Sequence, residues 1–440
     1  MISSKVFSVG LTTLGCKVSQ YETEAVAERF ESEGFSIVPF SSVADVYVIN
    51  TCTVTEEGDR KSRQMIRRAI RKNPRAVVIV LGCYAQRASE EIAKIEGVSA
   101  VIGTQDKLSA VEHAKRLLSS DEKKVFVSAP PLDGVPFEKM CIKRAPRTRA
   151  YVKIEDGCES KCTYCAISPA RGPVRSKPRE DVISEVEELS KSGVAEIVLT
   201  GIETGSYGKD FSEKYTLADL IAELDSRTSC TRIRLGSLAP ELMGKDFTDK
   251  VAGLKILAPH FHISIQSGSD KVLRAMKRRY TSERAMENIE RLRKAFPGAM
   301  FTTDLMVGFP GESEDDFLES CAFVRKIGFL DAHVFAYSRR AGTPAAEYPE
   351  QIPEAVKRER SERLIALKNE VRDRVLDGVV AAGKPLRCIL ETEKSGVYSA
   401  HSDSFVELSV EAESGLEGRL AEVLPLSHSC GIVKGKITKI

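Results

Sequence analysis

The chain has 440 residues, of which 42% are hydrophobic and 29% are charged, and its formal net charge is +2. This length allows about two to four domains with apolar cores, and the near-neutral charge excludes a protein that binds polyanions with its whole surface. The 11 cysteines, without an N-terminal signal peptide, argue against a secreted disulfide scaffold and indicate a reducing cytoplasm. No apolar run approaches the length of a transmembrane helix.

Residues 1 to about 140 alternate between apolar strands and amphipathic helices. We predict strands at residues 6–14, 46–50 and 77–81, and helices at residues 22–33 and 56–72. This alternation is typical of a doubly wound parallel sheet.

A cysteine follows each of these three strands. Cys16, Cys52 and Cys83 each stand just beyond a predicted strand end, and open α/β sheets bind their ligands at that edge. A free cysteine is often only a small buried hydrophobe, but structural thiols have no reason to repeat one position in each unit. The pattern therefore predicts a metal cluster on these three thiols. The cysteines interpreted as buried structural thiols are Cys141, Cys230, Cys321, Cys388 and Cys430.

Basic residues concentrate in the helix predicted at residues 56–72. The run contains almost no balancing acid, which favours contact with RNA phosphates over an ordinary solvated helix face. The candidate RNA contacts are Arg60, Lys61, Arg63, Arg67, Arg68 and Arg71, and Lys72 and Arg75 extend the run. Two smaller basic groups are Arg144, Arg147 and Arg149, and Lys271, Arg274, Lys277, Arg278 and Arg279.

A second group of cysteines lies in one loop after a short apolar run near residue 150. Cys158, Cys162 and Cys165 are close enough in sequence for their thiolates to converge. Thiolates hold iron–sulfur clusters, and three ligands on a four-iron cluster leave one iron with a free coordination position. Zinc is the alternative, but it usually takes four Cys or His ligands and no nearby His supplies the fourth. We therefore predict an iron–sulfur cluster here.

The spacing of this loop resembles the signature of the radical S-adenosylmethionine (SAM) enzymes. The resemblance implies a [4Fe-4S] cluster on Cys158, Cys162 and Cys165, with the amino and carboxylate groups of SAM bound to its free iron. In that superfamily the reduced cluster cleaves SAM and gives a 5′-deoxyadenosyl radical. The cofactors supply this chemistry and the protein positions them.

Residues from about 148 to 340 repeat a strand and a helix. Six strands are predicted near residues 150, 196–200, 232–235, 262–266, 301–307 and 332–337. Six such units fit a partial TIM barrel, whose sites lie at the carboxyl ends of the strands. The radical SAM resemblance implies the same architecture.

Candidate SAM contacts are the polar residues and glycines at these strand ends, although ordinary turn or cap roles explain such residues equally well. They are Tyr164 in the cysteine loop, Gly201, Glu203, Ser237, Ser264, Gln266 and Gly308.

The last part of the chain changes in character. A charged helix is predicted at residues 354–377, and short β-like runs follow at residues 386–390, 405–410, 420–424 and 432–440. These runs predict a small five-stranded barrel. Acids slightly outnumber bases from residue 375 onward, so composition gives no RNA-binding signal here.

Four sequence segments taken in order resemble the methylthiotransferase family: TLGCK at 13–17, NTCTV at 50–54, GCYAQ at 82–86 and the Cys158 loop. They are most similar to the branch that modifies N6-threonylcarbamoyladenosine beside the tRNA anticodon. The resemblance implies an α/β protein with three parts. These are an N-terminal methylthiotransferase domain (1–140) with an auxiliary [4Fe-4S] cluster, a radical SAM domain (141–374) and a TRAM-like RNA-binding domain (375–440).

The resemblance implies that the protein inserts a methylthio group at adenine carbon 2, using two SAM molecules and two [4Fe-4S] clusters. Its expected partners are tRNA and a reducing donor such as flavodoxin or ferredoxin, in the cytoplasm and away from membranes. Other branches act on isopentenyladenosine in tRNA or on a ribosomal protein aspartate. A non-catalytic iron–sulfur protein that binds RNA or transfers electrons is the alternative of another class, and it leaves the open iron unexplained.

Overall fold

The computed structural model describes residues 6–119, 125–145 and 148–440, so Arg147 of the predicted basic residues lies outside the described part. The strands are, in chain order, β1 (Ser8–Thr13), β2 (Ser36–Val38), β3 (Val46–Thr51), β4 (Val77–Gly82), β5 (Ala100–Ile102), β6 (Phe126–Ser128), β7 (Arg149–Lys153), β8 (Glu155–Asp156), β9 (Arg175–Ser176), β10 (Glu196–Thr200), β11 (Ile233–Leu235), β12 (Ser237–Leu238), β13 (His260–Gln266), β14 (Met300–Val307), β15 (Asp331–Ala336), β16 (Leu386–Lys394), β17 (Val397–Ser402), β18 (Glu407–Glu411), β19 (Leu420–Ser429) and β20 (Ile432–Lys439).

The α-helices are, in chain order, α1 (Lys17–Ser32), α2 (Glu56–Lys72), α3 (Cys83–Arg87), α4 (Ser89–Ala93), α5 (Ala110–Leu118), α6 (Ile167–Arg171), α7 (Arg179–Lys191), α8 (Leu217–Arg227), α9 (Lys245–Val251), α10 (Asp270–Ala275), α11 (Ser282–Ala295), α12 (Glu314–Ile327) and α13 (Glu354–Ala382). None of the helices in the described ranges is both long and apolar enough to cross a membrane.

Contacts divide the chain into two units. The first unit comprises Met1–Ile142, Glu155–Lys177 and Ser338–Thr343, and the second comprises Lys143–Ile154, Pro178–Tyr337 and Pro344–Ile440. The Cys158 loop therefore belongs to the same unit as the N-terminal sheet. The segment boundary expected at residue 374 falls inside α13, which runs on to Ala382.

The first unit is built on a parallel six-stranded sheet in the order β2-β1-β3-β4-β5-β6. Side chains alternate between two cores: β3 sends Val46 and Val48 to the core under α1 and α5, and Tyr47 and Ile49 to the core under α2–α4. Because both faces are covered, the inner strands are continuous apolar runs. The predicted doubly wound sheet is confirmed.

Some elements of this sheet differ from the sequence prediction. Strands β2, β5 and β6 were not predicted, because each has only three residues and carries little periodic signal. Helix α1 begins at Lys17 rather than at residue 22. The sequence did not reveal this start, because the first turn has neither an acidic residue nor a side-chain cap. Helix α2 has the predicted bounds.

A two-stranded antiparallel ribbon closes the Cys158 loop within the first unit. Strand β8 pairs with β9, and the Cys158 N–H donates to the Gly172 carbonyl oxygen at 3.0 Å. Gly157 has φ +90°, and a Cβ there would stand 1.9 Å from the Pro173 carbonyl oxygen. Only glycine therefore fits at the entrance to the loop.

The second unit contains the predicted partial barrel. Two parallel sheets form it, in the orders β11-β10-β7 and β12-β13-β14-β15. The third predicted strand, residues 232–235, corresponds to β11, and Gly236 separates it from the short β12, which was not predicted. All six predicted strands are present, and the partial-barrel prediction is confirmed.

The C-terminal part of the second unit is a closed barrel in the order β16-β17-β18-β20-β19. The predicted five-stranded barrel is therefore confirmed. Its second strand, β17, was not among the predicted runs because only Val397, Tyr398 and Ala400 of its six residues are apolar.

The cysteines interpreted as structural divide into two groups. Cys230, Cys321 and Cys388 are buried, as predicted, whereas Cys141 and Cys430 are exposed. The buried interpretation is wrong for the latter two, because neither follows a strong apolar period that would have fixed its side of the chain.

Candidate cluster and cofactor sites

The first cysteine trio lies at the carboxyl edge of the six-stranded sheet. Cys16 is the N-cap residue of α1 after β1, Cys52 directly follows β3, and Cys83 begins α3 after β4. Strand β2 pairs with one edge of β1 and β3 pairs with the other, so the strand order reverses at β1. Doubly wound sheets bind ligands at such a switch point. The Cys52 Sγ lies 3.3 Å from the position a Cβ of Gly15 would occupy. The structure thus places all three cysteines at one edge of the sheet, as the sequence analysis predicts.

The thiols of this trio are near enough to affect one another electrically. Burial raises the pKa of Cys83 to about 11, and the charge of Cys16 adds to this increase. Burial also raises the pKa of Cys52, again with a contribution from Cys16. Bound iron would offset the energetic cost of forming these buried thiolates, because a coordinating thiol is deprotonated by the metal.

The donor set of the trio fits an iron–sulfur cluster better than a single ion. Across residues 6–119, 125–145 and 148–440, no three Cys, His, Asp or Glu side chains converge as single-ion ligands. A cluster is held by thiolates on separate irons, so its ligands need not meet at one point. Three cysteines at one edge match this requirement.

A buried arginine contacts the trio. Arg171, the last residue of α6, donates from Nε to the Cys83 Sγ at 3.1 Å. Its other nitrogens donate to Glu22 at 2.5 and 3.2 Å and to Asp156 at 3.2 Å. Burial opposes the charge, but Asp156, Cys83 and Glu22 together raise the pKa of Arg171 well above its ordinary value. Arg171 is therefore a cation fixed beside a cysteine sulfur.

The second trio is held in the loop that the β8–β9 ribbon closes. Cys158, Cys162 and Cys165 are half-buried. Backbone N–H groups point at two of the sulfurs, from Ser160 to Cys158 at 3.5 Å and from Ile167 to Cys165 at 3.3 Å. Donors aimed at sulfur favour thiolates, the form that binds iron. The half-buried Tyr164 lies between Cys162 and Cys165 in the same loop.

Several predicted SAM contacts meet at the carboxyl ends of the barrel strands in the second unit. The Ser237 and Ser264 hydroxyls hydrogen-bond to each other, and Arg278 donates to the Ser264 carbonyl oxygen at 2.9 Å. Burial raises the pKa of Glu203 to about 7, against the lowering effect of Arg278. These groups form one polar neighbourhood, within which sequence analysis had assigned Arg278 only to a basic surface group.

Gln266 has the most unusual backbone of the predicted contacts. It lies in a bulge of β13 with φ +67°, and its buried Oε1 has no hydrogen-bond partner in the part of the chain that the structure describes. A strained non-glycine residue with an unused acceptor is typical of a functional site.

The predicted glycines differ from each other. Gly201 follows β10 directly and is half-buried. The Gly308 N–H donates to Glu312 at 2.7 Å, and a Cβ at Gly308 would stand 2.4 Å from Lys357 Cγ. Packing therefore explains glycine at 308 without a ligand.

The candidate RNA contacts on α2 divide into paired and open residues. Arg60 and Lys61 pair with Glu57 at 2.6 and 3.7 Å, and Arg63 lies 3.7 Å from Glu91. Arg67, Arg68 and Arg71 are exposed, and no acidic side chain of the described residues forms an ion pair with them. Among the smaller groups, Arg149 pairs with Glu196 and Glu391, and Lys271 pairs with Asp316 at 2.8 Å. Within α2, the unpaired positive charge among the described residues is thus on the second half of the helix.

Comparison with known proteins agrees with this arrangement. Residues 152–324 match the radical SAM superfamily, and residues 8–103 match a family described as Uncharacterized protein family UPF0004. The chain is 39% identical to the threonylcarbamoyladenosine tRNA methylthiotransferase MtaB of Bacillus subtilis, over 98% of this chain and 97% of that protein.

Two further similarities are more distant. The tRNA-2-methylthio-N(6)-dimethylallyladenosine synthase of Carboxydothermus hydrogenoformans is 34% identical over 82% of this chain and 83% of its own length. The radical SAM methyltransferase TsrM of Kitasatospora setae shares the fold with a TM-score of 0.56 at 15% identity, over 90% of this chain and 81% of that chain.

The chain belongs to the radical SAM methylthiotransferase family. Membership makes it an enzyme that uses SAM and a [4Fe-4S] cluster. Residues missed by sequence analysis are Glu22, Asp156 and the role of Arg171. Glu22 and Arg171 are 149 positions apart, so no local signal joins them.

Proposed function

We propose that this enzyme inserts a methylthio group at carbon 2 of N6-threonylcarbamoyladenosine beside the anticodon of tRNA. The presence of two separate cysteine trios in one unit carries this proposal, because sulfur insertion needs a site for SAM cleavage and a site for the sulfur. The relative from Bacillus subtilis, which bears this activity in its name, supports the choice of base.

The residues divide between two tasks. Cys158, Cys162 and Cys165 would hold the cluster to which SAM binds, and Cys16, Cys52 and Cys83 would hold a second [4Fe-4S] cluster. When bound, the clusters supply the electron that cleaves SAM and the sulfur that is transferred. Glu203, Ser237, Ser264, Gln266, Gly201 and Tyr164 would bind and orient SAM. The hydrogen at adenine carbon 2 is not acidic, so no side chain is needed as a general base.

The three predicted segments would keep their roles, with residues 1–140 for the second cluster, 141–374 for SAM and 375–440 as a TRAM-like RNA-binding barrel. Arg67, Arg68 and Arg71 would contact RNA phosphates, supported by their exposure and open charge. The reducing partner would be a flavodoxin or ferredoxin in the cytoplasm.

Mass spectrometry of tRNA nucleosides tests the reaction. Cells lacking this chain should lose 2-methylthio-N6-threonylcarbamoyladenosine and accumulate its precursor, and the wild type should restore it. Cys158→Ala and Cys16→Ala should fail to restore it, whereas Cys230→Ala, at a buried thiol outside both trios, serves as the matched control. Loss of a methylthio-isopentenyladenosine instead would show that the substrate is isopentenyladenosine in tRNA. Unchanged nucleosides would favour a ribosomal protein as the substrate.

Separate assays distinguish the two trios. In purified protein given SAM and a reductant, Cys158→Ala should abolish formation of 5′-deoxyadenosine. Cys16→Ala should retain SAM cleavage but transfer no sulfur. The reverse pattern would contradict the assignment of the two clusters.

The salt dependence of tRNA binding tests the contacts on α2. Removing one phosphate contact lowers the slope of log K against log salt by about 1. Arg67→Ala and Arg71→Ala should each show this change. Arg374→Ala, at an exposed arginine paired with Glu370 on α13, should not, and equal slopes in all variants would place the RNA elsewhere.

A further inference from the structure

The arginine that ends the short helix after the Cys158 loop contacts a cysteine of the other trio. We propose that Arg171 is a positioning residue that joins the two cluster-binding segments and raises the reduction potential of the second cluster. Its Nε–H would hold the Cys83 thiolate, and its charge would stabilise the reduced state. This inference rests on the proposed function, in that it requires a cluster on Cys16, Cys52 and Cys83.

The geometry fixes the orientation of the arginine. The Arg171 side chain is 0% exposed, and Glu22 accepts two hydrogen bonds from its terminal nitrogens. A guanidinium is a rigid planar fork, so a carboxylate that binds one edge also sets the direction of the remaining Nε–H. That N–H points at the Cys83 Sγ, 3.1 Å away. Glu22 thus aims a donor at the sulfur.

The surrounding acids do not depend on Arg171 alone. Glu22 also pairs with Lys107 at 3.2 Å, and Asp156 also lies 3.5 Å from Arg175. Neutralising Glu22 and Asp156 does not require the hydrogen bond from Arg171 Nε to the Cys83 sulfur. The contact with Cys83 therefore distinguishes Arg171 from Lys107 and Arg175, its two buried cationic neighbours.

The sign of the expected effect follows from charge. Reduction adds an electron to a cluster and makes its thiolate ligands more negative. A buried cation and a hydrogen bond to sulfur both stabilise that state, and such hydrogen bonds help to set the potentials of iron–sulfur clusters. Loss of the Arg171 contact should therefore shift the midpoint potential to more negative values.

The experiment isolates the second cluster in the full-length chain. The triple variant Cys158→Ala, Cys162→Ala, Cys165→Ala removes the ligands of the SAM-binding cluster, so any remaining iron reports the other trio. Two changes are made in this background: Arg171→Lys, and the pair Arg171→Gln with Glu22→Gln, which leaves no unpaired carboxylate at Glu22. Arg175→Lys is the matched control, since Arg175 is buried, pairs with Asp156 and donates to the Arg171 carbonyl oxygen, and it has no hydrogen bond to a cysteine in the part of the chain that the structure describes.

Redox titration followed by electron paramagnetic resonance gives the midpoint potential. Both Arg171 variants should show at least a tenfold lower ratio of reduced to oxidised cluster at a fixed potential, a shift of about 59 mV for one electron. Arg175→Lys should match the parent. Equal potentials in the parent and in the Arg171 variants, at full iron content, would overturn the inference.

Two further results are informative. Loss of iron from Arg171→Lys, with a melting temperature equal to that of Arg175→Lys, would support the positioning role, because only ligation would then have failed. A triple variant that binds no iron at all, although folded, would contradict the proposed second cluster itself rather than the role of Arg171.

Discussion

The two ends of strand β10 carry glutamates whose pKa values move in opposite directions. At the amino end, burial opposes the charge of Glu196, but Arg234, Arg149 and Arg232 lower its pKa from 4.5 to about 2. Beyond the carboxyl end, burial raises the pKa of Glu203 from 4.5 to about 7. A glutamate is thus stabilised as an anion at the amino end, whereas the glutamate beyond the carboxyl end keeps its proton up to a pH of about 7.

The amino end serves as the attachment point of the C-terminal barrel within the second unit. Arg234 donates to the carbonyl oxygens of Ser402 and Asp403 at 3.1 and 3.0 Å, besides its pairing with Glu196 at 2.7 Å. The Phe405 ring lies 4.9 Å from the Arg234 guanidinium and stacks on His260 at 4.4 Å. This end therefore contributes to stability.

The carboxyl end keeps unused polar capacity instead. Gln266 has a strained backbone and an unpartnered buried oxygen among the described residues, and burial raises the pKa of Glu203 to about 7, so that it is partly protonated at neutral pH. Parallel barrels bind ligands at the carboxyl ends of their strands, while the amino ends maintain the fold. The opposite pKa shifts of Glu196 and Glu203 match this division between an end that stabilises the fold and an end that binds ligands.

The largest effect on this contrast should come from removing Glu196. Glu196→Ala leaves the buried Arg232 and Arg234 and the half-buried Arg149 without their shared carboxylate, and breaking a buried ion pair in this way costs about 3–5 kcal/mol. Chemical denaturation should show this loss of unfolding free energy. Glu370→Ala, at an exposed glutamate paired with Arg374, should cost less than about 1 kcal/mol. Similar losses in both variants would mean that Glu196 has no special role.

Acid should remove the contribution of Glu196 progressively. Because its folded pKa is lowered, its stabilising effect is present above about 4.5 and is lost as the pH falls towards 2. A shift of this size corresponds to about 3 kcal/mol. Denaturation of the metal-free protein between pH 5 and pH 3 should therefore be less steep with pH in Glu196→Gln than in the wild type. Parallel curves would contradict the lowered pKa.

Glu203 should give the opposite dependence on pH. Its folded pKa is raised, so the folded state holds the proton more tightly, and stability falls as the pH rises from about 4.5 to about 7. Glu203→Gln removes that loss and should be more stable than the wild type by about 3 kcal/mol at pH 8, but not at pH 4. An equal difference at both pH values would show that the change acts through packing.

Sequence patterns predicted those parts of the molecule that depend on local periodicity. The bounds of α2, the six barrel strands and the placement of Cys16, Cys52 and Cys83 at one sheet edge follow from apolar runs and from the rule for parallel sheets. The contact of Arg171 with Glu22 joins residues 149 positions apart, and the arginines around Glu196 come from β7 and from the start of β11, both distant from Glu196 in sequence. Such pairs are set by tertiary packing, and no single segment contains their signal.

The smallest effect should come from Gln266, where strain and binding oppose each other. Gln266→Gly relieves the positive φ and removes the unpartnered oxygen, but it also makes the unfolded chain more flexible, so the net gain in stability should be about 0.5–1 kcal/mol. Ser395→Gly makes the same backbone change at φ +53° in an exposed turn and should give a similar gain. If the strain at Gln266 is maintained for SAM, calorimetry should show weaker SAM binding in Gln266→Gly alone. Equal affinities in the two variants would reduce Gln266 to an ordinary bulge residue, and the contrast between the two ends of the barrel would then rest on Glu203.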